Sequence, residues 1–444
     1  MSKRIKTGTV LALAALVGAG AILGACSRTD GTDERGNGKT TAELKPKEPV
    51  ELVIQNQNFA WDNDYFMEYY GNDIERKFPH IKLKLLMRGS KIEDTVISGM
   101  PLDIIAAPPA SFNDTIAKFD LQYDITPLIK KYKYDTNRLD PSVVGLSKQM
   151  AGGGIYDIPT SMSPAALVYN KDLFDKFGVA YPKDCMNWDE VFELAKKMTR
   201  NEGGVQYRGL FASVGHLINR NQLSLNLINP VTKKADFENG KWKGFLENMA
   251  RFYQIQGYDM SDKIASLTPQ KTEWEKAQTV AMWLPVSGAH LIPDMKNYDY
   301  VSFPIFKDFP DVGPQSYPVQ FYVTGKSKHK DDAFEVLAYL TSDEFQLKQS
   351  KKGVFTVLNN DSIKAAFGQE GSDYTGKNFK ALLPKIHAPN MIESKYNTVA
   401  SAALTTAFYD FVLGKKDINS ALREAAEKTN KQIEADQIAT GEKK

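Results

Sequence analysis

Strand and helix patterns alternate along residues 50–108, and this order restricts the fold more than any other feature of the sequence. The segment VELVIQN (50–56) has the period-2 spacing of a strand, and IKLKLLM (81–87) repeats it. Residues 64–78 and 90–99 have helical spacing, whereas LDIIAAP (102–108) is a continuous apolar run that suits a buried parallel strand. Strand–helix–strand–helix–strand within about sixty residues predicts an α/β unit built on a parallel sheet.

Helix boundaries are marked clearly in the next informative stretch, residues 152–198. Asn170 is placed to cap a short helix, and Gly178 can end that helix in the left-handed conformation. Asn187 and Glu190 have the spacing of a capping box at the start of the following helix. Further amphipathic patterns predict helices at 331–340, 397–414 and 418–433. Trp242 and Trp274 lie on helical patterns and are interpreted as packing residues.

Length, charge and motifs restrict the function. About 395 residues follow position 48, more than one core usually holds, so two domains are expected. The formal charge is +2 without a basic cluster, which argues against nucleic-acid binding. The chain has no Gly-x-Ser-x-Gly elbow, phosphate loop or His-Glu-x-x-His motif, and its five histidines lack metal-ligand spacing. The sequence therefore predicts a protein that is not an enzyme and needs no cofactor or metal.

The N-terminus carries an export pattern. Three cations in the first six residues precede an apolar run at 10–23. That run is shorter than the roughly 20 residues that cross a bilayer core, and the whole pattern is typical of a secretory signal. The sequence LGAC at 23–26 resembles a bacterial lipobox, which implies a diacylglyceryl thioether on Cys26 and cleavage just before it. A plain signal peptide with an incidental cysteine is the alternative interpretation.

Residues 1–25 are thus expected to be a lipoprotein signal peptide, and residues 26–48 a lipidated cysteine with a flexible tether. The tether is too polar to repay its ordering entropy by burial. Removal of the signal would leave 53 basic and 54 acidic side chains. The second cysteine, Cys185, would have no disulfide partner, and it is interpreted as an unpaired bystander.

The stretch from Ile155 to Thr199 resembles the extracellular solute-binding proteins (family 1) that serve bacterial ABC sugar importers, the maltodextrin-binding-protein kind. The residues that carry the resemblance are Ile158-Pro159, Tyr169-Asn170-Lys171-Asp172-Leu173-Phe174, Gly178, Pro182 and Trp188-Asp189-Glu190. Further matching segments follow the family's order: LDIIAAP (102–108), YDITPLIKK (123–131), KAQTVAMWLPVSG (276–288) and GKSKHKDDAFEVLAYLTSDEFQ (325–346).

The resemblance implies an α/β fold of two lobes joined by a hinge, the type II periplasmic-binding-protein-like fold, with a mixed, mainly parallel sheet flanked by helices in each lobe. Carried onto this chain, lobe 1 would be 49–160 plus 317–355, and lobe 2 would be 161–316 plus 356–440. Three crossings between the lobes would fall near 159–163, 314–318 and 353–358.

The implied function is that of a monomeric receptor, held by its lipid on the extracytoplasmic face of the cell membrane. It would capture a carbohydrate, expected to be an oligosaccharide, between the lobes and deliver it to the membrane subunits of an ABC permease. A receptor for a non-sugar solute such as a polyamine is the main alternative. A surface carbohydrate-active enzyme with two catalytic carboxylates is a further one.

A carbohydrate site needs aromatic planes for apolar sugar faces and planar polar groups for hydroxyls, beyond the carboxyl ends of the strands. The expected ligand-binding residues are Asn58, Trp61 and Asp62 after the first strand, Arg88 after the second, Ser161 and Ser163 at the first crossing, Trp283, Ser287, and Tyr317 at the second crossing. Competing interpretations make Trp61 a buried loop residue, Arg88 a surface ion pair and Trp283 a core residue. Serine at the first crossing, where the classical maltodextrin receptor has an acid, makes maltodextrin a poor first guess.

Overall fold

The computed structural model describes residues 47–57, 59, 61–87, 89–285, 295–371 and 376–441. The expected signal peptide, Cys26 and nearly all of the expected tether lie outside these residues. None of the helices within the described ranges is both long enough and apolar enough to cross a bilayer.

The described ranges contain twelve β-strands and fifteen α-helices. The strands are β1 (Val50–Asn56), β2 (Ile81–Leu86), β3 (Ile104–Ala107), β4 (Asp157–Met162), β5 (Ala166–Asn170), β6 (Arg200–Glu202), β7 (Val205–Ala212), β8 (Val280–Leu284), β9 (Tyr298–Ser302), β10 (Val312–Gly313), β11 (Pro318–Val323) and β12 (Ile386–His387). The helices are α1 (Asn63–Phe66), α2 (Asn72–Lys77), α3 (Ile92–Ile97), α4 (Thr126–Lys131), α5 (Pro141–Met150), α6 (Lys171–Phe177), α7 (Trp188–Met198), α8 (Val214–Asn219), α9 (Lys241–Ala250), α10 (Leu267–Thr272), α11 (Lys330–Leu340), α12 (Asp343–Lys351), α13 (Asp361–Ala365), α14 (Asn397–Val412) and α15 (Ile418–Thr440).

The first sheet has the strand order β2–β1–β3–β11–β4. Strand β1 lies parallel to β2 and β3, while β11 runs antiparallel to β3 and β4. The four residues of β3 are all buried and belong alternately to two apolar clusters, Ile104 and Ala106 to one, Ile105 and Ala107 to the other. Both faces of the sheet are therefore covered, which explains the continuous apolar run of this strand. This sheet and the elements packed on it are called the first lobe below.

The second sheet has the order β6–β7–β8–β5–β9 and, with the helices on it, is called the second lobe. Strands β7 and β8 are parallel, and the other three pairs are antiparallel. Both sheets are mixed, as predicted, but the second is mostly antiparallel where a mainly parallel one is expected. Part of the reason is the hairpin at Gly203 and Gly204, whose φ angles of 63° and 80° turn β6 directly back onto β7.

The predicted helix boundaries of residues 170–190 are confirmed. The Asn170 side chain accepts a hydrogen bond from the backbone N–H of Leu173, and Gly178 ends α6 at φ 62°. At the start of α7, the side chain of Asn187 accepts from the N–H of Glu190, and the Glu190 carboxylate accepts from the N–H of Asn187. These caps satisfy donors that a helix start leaves without partners.

Three segments lie side by side at the junction of the two sheets. The backbone N–H of Ser163 donates to the carbonyl of Tyr317 (2.9 Å), and the N–H of Met162 donates to the carbonyl of Phe355 (3.0 Å). Strand β4 also pairs with β11 here, with Met162 opposite Pro318. The chain segments expected to cross between the lobes are thus in mutual contact, although the exact lobe boundaries stay a prediction.

Next to this junction, Asp157 is a buried carboxyl group in β4. Its Oδ1 accepts hydrogen bonds from Ser147 (2.8 Å) and Gln320 (3.0 Å), and burial raises its pKa from 3.8 to about 7. A group whose pKa is raised by folding contributes stability that is full below its unfolded pKa and is lost as the pH rises through the folded value.

We therefore expect the contribution of Asp157 to the free energy of unfolding to fall between about pH 4 and pH 7. The pH profile of the Asp157→Asn variant should differ from that of the native protein by at least ~1 kcal/mol over this range. Urea denaturation of both proteins at half-unit pH steps from 4.5 to 8.0 measures this difference. Identical pH profiles would contradict a neutral Asp157 in the fold.

Candidate functional site

A cavity of about 380 Å³ lies between the two lobes. The first lobe contributes the turn that follows the carboxyl end of β3, residues 109–115. The second contributes Asn219 and Arg220 at the end of α8, together with part of residues 390–402. Residues 315–317, at a crossing, complete the lining. The volume is at the lower end of the ~300–1,000 Å³ typical of ligand pockets.

The first-lobe side is shaped by Pro108 and Pro109, which end β3 and start a short 3₁₀ turn. Phe112 fixes this turn, because its ring packs 5.8 Å from the rings of both Tyr156 and Tyr322. Ser111 is buried in the cavity wall. A rigid apolar base thus presents small polar side chains to the cavity.

Arg220 and Tyr317 form the charged wall of the cavity. Arg220 is 2% exposed, its Nε donates to the carbonyl of Gln315 (2.9 Å), and its guanidinium lies 5.1 Å from the centre of the Tyr317 ring. Burial lowers the pKa of Arg220 to about 9, so it is still a cation at neutral pH, and burial raises the pKa of Tyr317. This cation–π pair holds the ring in place at the crossing.

His216 supports the same ring from the second lobe. Its imidazole meets Tyr317 edge-on at 6.3 Å, and its Nδ1 is 2.6 Å from the hydroxyl of Ser213. Burial lowers the pKa of His216 to about 4, which leaves the imidazole neutral at physiological pH. His216 therefore does not add a second positive charge beside Arg220.

The segment 390–398 connects the lobes across the cavity. The Asn390 Nδ2 donates to the carbonyl of Ser142 in α5 (3.0 Å), and the Thr398 hydroxyl donates to Oδ2 of Asp114 (2.7 Å). Glu393 lies between these two contacts and lines the cavity. Burial raises the pKa of its carboxyl group to about 7.

Among the residues predicted to bind ligand, Tyr317 lines this cavity. Ser161 lies in β4 at 5% exposure, and Ser163 binds the Tyr317 carbonyl through its backbone; neither side chain belongs to the cavity lining. Trp283 is 4% exposed in β8 and packs in the core of the second lobe, 6.4 Å from the Phe211 ring. The structure therefore places Trp283 in the core, the competing interpretation.

The loop after β1 is also separate from the cavity lining. Asp62 caps α1 by accepting a hydrogen bond from the N–H of Tyr65 (2.7 Å). Trp61 is half-buried and stacks on Phe59 at 4.5 Å, with Tyr70 at 5.2 Å. The remaining predicted residues, Asn58, Arg88, Ser287 and the lipidation site Cys26, lie outside the described residues.

Because its ring belongs to an aromatic cluster of the first lobe, we expect Trp61→Ala to lower the free energy of unfolding by about 2–4 kcal/mol. The sequence alone favours loss of binding with little change in stability. Chemical denaturation, with Trp61→Phe as the conservative control, decides between the two. An unchanged unfolding midpoint in Trp61→Ala would contradict the packing role.

Most of the lining residues are not predicted from the sequence, and Arg220, Glu393 and Asn397 are among them. Arg220 follows α8, which itself follows the carboxyl end of β7. Ligands tend to bind beyond the carboxyl ends of strands, so Arg220 could be predicted only if β7 were recognised as a strand first. Glu393 precedes α14 and Asn397 begins it, in a segment with no strand pattern. Their position in the cavity comes from tertiary packing alone.

No group of three or more His, Cys, Asp and Glu side chains in the described part of the chain is arranged to hold a metal ion. The polar groups that line the cavity are mainly hydroxyls and amides. They are Ser111, Asn113, Thr115, Asn219, Gln315, Ser316, Tyr317, Asn390, Ser394, Asn397, Thr398 and Ser401. Such a lining can exchange many neutral hydrogen bonds with a solute.

Known proteins share this fold. The chain superposes on a sugar transporter protein of Rhizobium etli in an open conformation, with a TM-score of 0.67 at 18% identity over 86% of this chain and 99% of that one. It also superposes on an ABC substrate-binding protein of Listeria monocytogenes in complex with cycloalternan, with a TM-score of 0.68 at 16% identity over 87% and 99% of the two chains. The predicted two-lobed α/β fold is thereby confirmed.

Sequence comparison agrees. A protein of Brucella abortus (strain 2308), named as a binding protein, is 24% identical over 302 residues, which cover 64% of this chain and 69% of that protein. The family model of the bacterial extracellular solute-binding proteins matches residues 62–347, more than half of the chain. This is a family of binding proteins and not of enzymes, as predicted. The chain belongs to the bacterial extracellular solute-binding proteins.

Proposed function

We propose that this solute-binding protein is the receptor of an ABC importer and captures a small carbohydrate between its two lobes. The observation that carries the proposal is the cavity at the carboxyl end of β3, lined from both lobes by hydroxyl and amide groups. Its size favours a monosaccharide or disaccharide over the longer chain expected from the sequence. The relatives solved as a sugar transporter protein and as a complex with cycloalternan support a carbohydrate ligand.

Capture would proceed by lobe closure. A solute that contacts residues 109–115 on one side and Arg220 or residues 390–402 on the other gains its full set of contacts when both walls surround it. It therefore binds the closed form better, and that difference in affinity shifts the population toward closure. The Asp114–Thr398 and Asn390–Ser142 hydrogen bonds would contribute to the closed form.

Tyr317 would offer its ring to an apolar sugar face, and Arg220 would keep that ring in place. Since one hydrogen bond contributes only about 0.5–1.5 kcal/mol net, while a buried group left without a partner costs about 1–3 kcal/mol, specificity would come from pairing the whole polar lining. The closed form would then present the solute to the membrane permease.

The anchoring part of the proposal rests on the sequence. A lipid on Cys26 and a tether up to residue 48 would hold the receptor on the extracytoplasmic face of the membrane. Tethering would raise the effective concentration of the receptor near its permease. Metabolic labelling with a radioactive fatty acid, compared between the native chain and Cys26→Ser, tests this part separately.

A polyamine receptor is the alternative that the charges disfavour. Polyamine binding calls for a lining dominated by carboxylates, but the charged residues of this cavity are Asp114, Arg220 and Glu393. Asp114 already accepts a hydrogen bond from Thr398. A buried guanidinium beside the ligand would repel a second cation.

The proposed function is tested by titration calorimetry against neutral mono- and disaccharides, polyols, spermidine and maltotetraose. We expect at least one mono- or disaccharide to bind with a dissociation constant below about 10 μM, equivalent to roughly −7 kcal/mol. Binding of spermidine alone, or of no carbohydrate, would contradict a carbohydrate receptor. Preference for maltotetraose would contradict the predicted ligand size.

A further inference from the structure

Glu393 and Asn397 form a small polar group that the sequence does not predict. Asn397 is 8% exposed at the start of α14, and Glu393 lies four residues earlier in the chain, before the helix begins. The Asn397 Nδ2 donates to Oε2 of Glu393 at 3.1 Å. Both residues line the interlobe cavity.

This group has more acceptors than donors. The ionised Glu393 carboxylate has only acceptor oxygens, so in that form the contact orients the Asn397 amide with Nδ2 toward the acid. Its Oδ1 then has no hydrogen-bond partner among the described residues, although it is buried. Buried acceptors in native proteins usually have a donor, which makes this oxygen an exception that a ligand would explain.

Glu393 also lacks a compensating cation in the described part of the chain. No lysine, arginine or histidine there forms an ion pair with it, and its hydrogen bond from Asn397 is its one resolved stabilising contact. Tyr317 lies within electrostatic reach of both Arg220 and Glu393. The Arg220 Nε is directed at the Gln315 carbonyl instead.

Asp114, the other acid of the cavity, has a hydrogen-bond partner in the opposite lobe. Asp114 accepts the hydroxyl of Thr398 at 2.7 Å, and this contact joins the two lobes. The cavity therefore contains two acids with different roles. Asp114 joins the lobes, whereas Glu393 and the neighbouring Asn397 amide oxygen can accept hydrogen bonds from a solute.

We propose that Glu393 and Asn397 are specificity-determining residues that select solutes presenting hydrogen-bond donors at their end of the cavity. The donors are hydroxyl groups of a sugar or the amino group of an amino sugar. This inference rests on the proposed function, because it assigns part of the same cavity. A solute lacking a donor at this position would leave the buried acceptors unpaired, and such sites reject analogues that lack the group.

The test compares D-glucose, D-galactose and D-mannose with their 2-amino and 2-deoxy counterparts by titration calorimetry. The proteins are the native chain, Glu393→Gln and Asn397→Ala. Glu275→Gln is the matched control, since Glu275 is another little-exposed glutamate and lies outside the cavity lining. A melting temperature within 2 °C of that of the native protein establishes that a variant is folded. If Glu393→Gln does not meet this criterion, Asn397→Ala alone tests the proposal.

For hydroxyl donors, we expect Glu393→Gln and Asn397→Ala to weaken binding of the best hydroxylated sugar at least tenfold, with no change in Glu275→Gln. For an amino donor, we expect the native protein to prefer an amino sugar at least tenfold over its hydroxyl counterpart, and Glu393→Gln to abolish that preference. If sugars bind but both variants keep every affinity within twofold, the inference is overturned and the proposed function stands. If neither these monosaccharides nor any disaccharide binds the native protein, both fail.

Discussion

Replacement of Trp242 by alanine is expected to lower the free energy of unfolding by about 3–5 kcal/mol, the largest change in stability that we predict for a single substitution. The side chain is completely buried in the core of the second lobe, between Phe237 and Phe245, with ring separations of 6.2 and 5.9 Å. The indole Nε1 also donates to the carbonyl of Asn226 (3.1 Å). Alanine would therefore leave both a cavity and an unpaired acceptor.

The effect should extend to the solute cavity, because Asn226 accepts a hydrogen bond from the N–H of Ile392 at 2.7 Å. That bond holds the segment 390–398. Equilibrium unfolding in urea measures the loss, and Trp242→Phe is the control that keeps most of the buried ring. A loss below about 1 kcal/mol in Trp242→Ala would show that this core tolerates the cavity by repacking.

Substitution of Arg220 by methionine is expected to weaken solute binding by about 10–100-fold, or roughly 1.4–2.7 kcal/mol. Methionine keeps much of the apolar stem but removes the donor to the Gln315 carbonyl and the cation over the Tyr317 ring. The crossing would lose a charge-assisted hydrogen bond, and the ring would lose its fixed orientation. Titration with the best-binding sugar measures the change.

Arg251→Met is the matched control for this experiment. Arg251 also lies over an aromatic ring, 4.8 Å from Phe192, and forms an ion pair with Asp189 at 2.7 Å, but it is outside the cavity lining. Its removal should leave solute affinity within twofold. Arg220→Lys should fall between native and methionine, because lysine keeps the charge but not the planar fork. Equal affinities for Arg220→Met and the native protein would remove Arg220 from the binding site.

The scaffold is predicted well by the sequence because its signals are local. The period-2 spacing at 50–56 and the caps at Asn170 and Asn187 depend on a few neighbouring residues, and the structure confirms each of them. The antiparallel pairing in the second sheet depends on which strands meet, which local spacing does not specify. It is this part of the fold class that the sequence describes least well.

The site is predicted less well, for a related reason. Tyr317, predicted because it adjoins a crossing, lines the cavity. Trp283 has the same chemistry as a stacking residue but is buried in the core. Only the tertiary structure distinguishes the two roles. Arg220 and Glu393 come from chain segments 173 residues apart in number, so their joint presence in one cavity has no signal in local sequence.

The central claim is that a small carbohydrate binds between the lobes. A crystal structure of the protein grown with the mono- or disaccharide that binds most tightly tests it most directly. We predict ligand density between residues 109–115 and 390–402, in contact with Tyr317 and bounded by Arg220. Ligand density at another place on the protein, with this cavity unchanged at saturating carbohydrate, would contradict the account.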